Sequence, residues 1–200
     1  MVALLVVIAT SVFAYSVGTK SSNQGGNVVN VSDSYSFQEN FGGNNRAPSW
    51  VGIVEVLVHH NGVLVYDSIQ HNTITNTGEG IISACTARGA TGAPACTNGG
   101  VYISLSTDTT IASATDTACL SEAAANGLSR AVGTYSPTST NSHKISNIFT
   151  YTGSTPLTIT KVCMFDAPTA GSLFAVDVLS NAASVSGNGD QITINWSFTH

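Results

Sequence analysis

Charge is what this 200-residue chain has least of: Asp, Glu, Lys and Arg together make up 8% of it, about a third of their share in ordinary soluble domains. Six Lys and Arg against eleven Asp and Glu leave a net charge of −5. That is too little positive charge to build a basic stripe against phosphates, so nucleic acid is excluded as a partner. The surface must instead be covered by Ser, Thr, Asn, Gln and Gly. This suits a secreted protein that packs against copies of itself, because charges buried between copies would cost desolvation. Catalytic patterns are missing as well. There is no Gly-x-Ser-x-Gly elbow, no Gly-x-x-x-x-Gly-Lys phosphate loop and no His-Glu-x-x-His pair. Gly78-Glu79-Gly80 is too short for a nucleotide fingerprint, and the carboxylates are spread singly along the chain. The expectation is therefore a non-enzyme with no catalytic residue, no cofactor and no metal.

Four cysteines are present: Cys85, Cys96, Cys119 and Cys163. No Cys-x-x-Cys occurs, which argues for disulfides over zinc. Three pairings are open to four cysteines. The expected one is Cys85–Cys96, closing the Gly/Ala/Thr loop between them, together with Cys119–Cys163 across a sheet. Hydrophobic residues make up 42% of the chain, enough for a packed core.

The longest apolar run is at the start, MVALLVVIATSVFAYSV over residues 1–17. Two readings compete. It is a secretory signal cut after Ala14, with Val12 and Ala14 at the small-residue positions, or it is a retained helix. A signal begins with basic residues, whereas the first Lys here is Lys20, beyond the run, so retention is expected. Such a helix is about 25 Å long at 1.5 Å per residue, short of a bilayer core of about 30 Å. It fits better among neighbouring copies, with transient membrane contact before assembly.

Residues 18–49 are rich in Ser, Asn, Gln and Gly and read as a connector, in which Asn27–Val31 is the most strand-like piece. Residues 50–200 read as an antiparallel β-sandwich head, Ig-like or jelly-roll-like, so the expected fold class is mainly β with an N-terminal helix. Strands are expected at Trp50–His59, Val63–Gln70, Val101–Ser106, Leu128–Ser136, His143–Tyr151, Leu157–Phe165 and Leu173–Leu179. A last strand alternates strictly, with Ile192, Ile194, Trp196 and Phe198 on one face. Asn61-Gly62 supplies the positive φ angles of a tight hairpin, and Gly78–Ala84 is expected to make one or two helical turns. His71 has the option of joining His59 or His60 at a metal, and Asp108 or Asp190 of holding Ca²⁺, but exposed strand histidines and turn aspartates are the simpler readings. Asn30-Val31-Ser32 and Asn195-Trp196-Ser197 are glycosylation acceptor patterns.

The layout of MVALLVVIATSVFAYSV, small-residue connector and Ser/Thr-rich β head resembles archaeal type IV pilins and related archaeal surface-filament subunits. The resemblance implies that helices bundle into a filament core while the heads coat the outside. Val2, Leu4, Leu5, Val6, Val7, Ile8, Val12 and Phe13 would then pack between copies. Leu5 stands where bacterial pilins carry a glutamate, a feature archaeal pilins often lack. The stretch His71-Asn72-Thr73-Ile74-Thr75-Asn76-Thr77-Gly78 also resembles a turn in β-sandwich surface and phage virion proteins. The expectation is a structural subunit of an extracellular, cell-surface filament that partners with itself, and with surfaces or other cells through its head. The alternatives are a donor-strand filament whose signal is cleaved and whose connector completes a neighbour's sheet, a cell-surface adhesin, and a virion protein.

Overall fold

The structure, a computed structural model, describes residues 30–31, 50–87, 91 and 99–199. The expected N-terminal helix, its eight assembly residues and nearly all of the connector lie outside the described residues.

The local logic of the head starts at its first hairpin. Strand β2 (Val51–His60) turns at Asn61 and Gly62 into β3 (Val63–His71). Both turn residues have positive φ, 51° and 78°, which is the geometry that matches the twist of paired strands. Along β2, Val54, Val56 and Val58 are fully buried, while the alternate residues Ile53, Glu55 and Leu57 are only partly so. This period-2 pattern fixes the register, because a slip by one residue would turn every valine to the outside. Strand β11 (Gln191–Thr199) repeats it: Ile192, Ile194 and Trp196 are fully buried and Phe198 nearly so.

The remaining elements are β1 (Asn30–Val31), β4 (Thr73–Ile74), α1 (Asn76–Thr86), β5 (Tyr102–Ser106), β6 (Ala131–Val132), β7 (Thr134–Ser139), β8 (Ser142–Thr150), β9 (Leu157–Phe165) and β10 (Leu173–Val185). They form two sheets, ordered β1-β3-β2-β11-β8-β7 and β4-β10-β9-β5-β6. All pairings are antiparallel except that of β1, which runs parallel to β3 with Asn30 opposite Asp67. The chain is thus mainly β, and the inner faces of the two sheets enclose one core. Trp196 stacks on Phe198 at 6.4 Å, and Phe174 of the second sheet meets Phe198 edge-on at 5.6 Å. The Phe174–Phe198 pair joins the two layers beyond simple area burial.

Three boundaries depart from expectation. The strand expected over Leu128–Ser136 is two strands in different sheets, β6 and β7. Gly133 marks the crossing, where the backbone passes so close to Ile145 Cγ2 that no Cβ would fit. Strand β10 continues to Val185 through a register break after Val178. Helix α1 begins two residues earlier than expected, at Asn76, because Thr75 caps it: Thr75 Oγ1 accepts from Gly78 N at 3.0 Å.

The outer face of the second sheet is covered by residues 107–130. Cys163, Phe165, Leu173 and Val176 form a second apolar cluster there, together with Cys119. A disulfide joins Cys119 to Cys163 with Cα atoms 6.2 Å apart, 44 residues apart in sequence. Closing a loop of that size removes about 4 kcal/mol of unfolded-chain entropy. Cys85 is also disulfide-bonded, and the fourth cysteine, Cys96, lies outside the described residues.

Candidate functional site

Trp50 stands at the end of the sandwich where β2 starts, β8 starts and β11 finishes. Side chains from both sheets and α1 meet there without closing the end. The alternation that buries Phe198 points its partner across the ladder, His143, inward too. The His143 ring then sits 5.5 Å from Phe198, 5.6 Å from Tyr135 and 6.0 Å from Trp50. On the opposite wall, Phe174 lies over Gly100, where a Cβ would overlap its ring. The result is an apolar cavity of about 330 Å³, with Trp50, Ile82, Tyr135, His143, Phe174 and Phe198 among its lining. Among the described residues no carboxylate lines it, and its apolar lining suits the packing of apolar groups.

The histidines do not converge. His60 Nε2 lies 3.1 Å from Ser184 O and 3.6 Å from Asp190 Oδ2. His59 is opposite Leu64, but His71 is opposite Ile53, six positions further along β2, or about 20 Å at 3.3 Å per residue. His71 therefore does not take up the option of approaching His59 or His60. The hairpin register that pairs the strands is what separates them. Among the described residues no group of three His, Cys, Asp or Glu side chains is placed to hold a metal.

The two loop aspartates are engaged by protein donors. Asp108 pairs with Lys161 Nζ, which also donates to Thr110 Oγ1 at 2.9 Å. The hydrogen bonds from Lys161 and then Thr110 hold the Asp108 carboxyl down at about 2. Burial pushes Asp190 up, but the Ser186 and Gly187 N–H groups, at 2.8 and 2.9 Å, together with His60 outweigh it and leave its pKa lowered. Both carboxylates thus act as clasps within the fold. Asn195 is on the outer face of the first sheet, where its Nδ2 donates to Glu55 Oε2 at 2.6 Å. Asn30 contributes backbone pairing to β3.

The His71–Gly78 stretch carries the chain from the edge of one sheet to the edge of the other. Asn72 N donates to Gly52 O at 3.1 Å, and its carboxamide packs where a Cβ on Gly52 would stand. Thr75, fully buried, donates from Oγ1 to Leu173 O at 2.5 Å. Gly78 passes against Phe174 O, where no Cβ would fit. Asn72, Thr75 and Gly78 thus each pack against a neighbouring strand.

Two buried charged residues, Lys161 and Asp177, were missed from sequence. Asp177 is 6% exposed inside the sandwich, with Gln70, Ser68 and Tyr66 of β3 nearby. The available signal was a single carboxylate in the apolar run Leu173–Leu179. No protein-family model matches the chain, and no curated protein matches it in sequence.

Proposed function

We propose that this protein is a structural subunit of an extracellular filament, polymerising through its apolar N-terminal segment with the β heads displayed to surfaces or other cells. The observation that carries this reading is the juxtaposition of MVALLVVIATSVFAYSV with a β head in a chain that is only 8% charged. Val2, Leu4, Leu5, Val6, Val7, Ile8, Val12 and Phe13 are the packing residues. Two features of the head support the reading. A disulfide fits an oxidising compartment, and the outer face of the first sheet leaves Ile69 and Ile148 exposed. Asn30 and Asn195 are the acceptors for any N-linked glycan.

A specific observation favours a second reading. The Asn30–Val31 strand pairs in parallel on the β3 edge, and a connector strand that can occupy an edge of its own head can complete the same edge on a neighbour. Leu5→Asp or Ile8→Asp should abolish filaments while the heads stay folded; intact filaments in those variants would refute packing through the N-terminal segment. N-terminal sequencing of native material separates the readings, with Met1 expected for the first and Tyr15 for the second.

A further inference from the structure

The flank of the sandwich between β3 and β10 is closed by side chains. Strand β10 leaves register with β9 between Val178 and Ala183, and backbone groups of this irregular stretch are met by side chains of the first sheet. Gln70 Nε2 donates to Val178 O at 2.7 Å and to Asp177 Oδ2, and Gln70 Oε1 accepts from Ser180 N at 2.9 Å. Tyr66 Oη donates to Asn181 O at 2.5 Å. Further along, His60 meets Ser184 O.

Asp177 sits in this seam with no cation facing it among the described residues. Strand β3 presents Tyr66, Ser68 and Gln70. Strand β9 places Val162 opposite, and its Lys161 is engaged with Asp108 in the covering loop. Strand β4 offers only Thr73 and Ile74. Strand β2 turns Val54, Val56 and Val58 inward, while its Glu55 is bonded to Asn195 on the outer face. The one acid of α1, Glu79, is exposed. An ionised Asp177 is thus left with the Gln70 amide and the Val178 N–H for its lost hydration. Burial, only partly countered by those two hydrogen bonds, raises its pKa to about 7.

We propose that Asp177 is a proton-controlled latch on the β3–β10 seam: protonated, it lets the two sheets stay closed over it, and ionised, its demand for hydration drives the seam open against the Gln70 bond. Opening frees the backbone groups at Val178, Ser180 and Asn181 for solvent or for a pairing strand. The sign follows from the raised pKa. The closed seam holds its proton more tightly than the open one, so its stability is complete below the ordinary carboxylate range and is lost as pH rises toward 7. The proposal does not depend on how the chain assembles.

Hydrogen–deuterium exchange of the full chain, corrected for intrinsic pH dependence, reads this in peptides spanning residues 64–71 and 176–184. The opening equilibrium should rise on the order of 100-fold between pH 5 and pH 8. Asp177→Asn should make protection independent of pH. Gln70→Glu sets a second acid against the first and should move the midpoint to higher pH, a readout that remains if Asp177→Asn does not fold. Flat protection in the parent chain, an unchanged response in Asp177→Asn, or an unmoved midpoint in Gln70→Glu would overturn the proposal.

Discussion

The outer face of the β4-β10-β9-β5-β6 sheet carries a second layer of its own chain, whereas among the described residues the outer face of β3-β2-β11-β8 does not. On the covered face, three cross-links tie residues 107–130 down: the Cys119–Cys163 disulfide, the Lys161–Asp108 pair, and Arg130. The Arg130 guanidinium lies 3.4 Å above the Phe165 ring, pairs with Glu122, and donates to Ala167 O and Ala170 O at 3.1 and 2.8 Å. The other face shows Ile69 and Ile148 at 40% and 58% exposure beside Glu55 and Asp67. Burial and then the nearby Glu55 push the Asp67 carboxyl upward. The difference teaches that the two sheets are held by different means. One is tied under a covering segment by a disulfide and ion pairs, while the other keeps an uncovered face on which Asn195 is bonded to Glu55.

That comparison can be broken by substitution. The largest effect is expected from replacing Cys119 and Cys163 together with Ala, which should remove about 4 kcal/mol of stability. An unchanged denaturation midpoint would mean that the cover is held by something else. Next, Arg130→Ala removes a ring contact and charge-assisted hydrogen bonds and should cost about 2 kcal/mol by urea unfolding; a neutral result would make it surface decoration. Asp108→Asn should give a smaller shift with a distinctive pH signature. Because Asp108 is lowered to about 2, its contribution is present above the ordinary carboxylate range and is lost as pH falls from about 4 toward 2. The variant should lose that part of the acid response, and melting curves from pH 2 to pH 6 check it. Asp177 acts with the opposite sign, so acid should loosen the cover while tightening the seam. Smallest of all, Ile148→Ser on the bare face should stay within about 0.5 kcal/mol in the isolated subunit; a larger cost would show that this face is packed after all.

What the sequence made legible were features set by near neighbours along the chain. The Ile192–Phe198 alternation fixed which side of β11 is buried, and Asn61-Gly62 fixed the hairpin. The split between β6 and β7 was not legible, because residues 128–136 read as continuous and only the approach of Ile145 shows why a glycine stands where the chain passes between the sheets. Strand β10 outran its expected end because the break after Val178 destroys the alternation. His71 looked close to His59 and His60 in sequence, and pairing register set it at the far end of the hairpin. The Lys161–Asp108 and Asp177–Gln70 contacts join residues 53 and 107 positions apart, which no local pattern encodes.

Assembly through the N-terminal segment is tested most directly by cryo-electron microscopy of native filaments at a resolution that traces residues 1–17. The account predicts helices of Val2–Phe13 packed about the filament axis, with the β heads outside. Filaments that lack residues 1–14 and are joined by a connector strand on the β3 edge of the next head would contradict it.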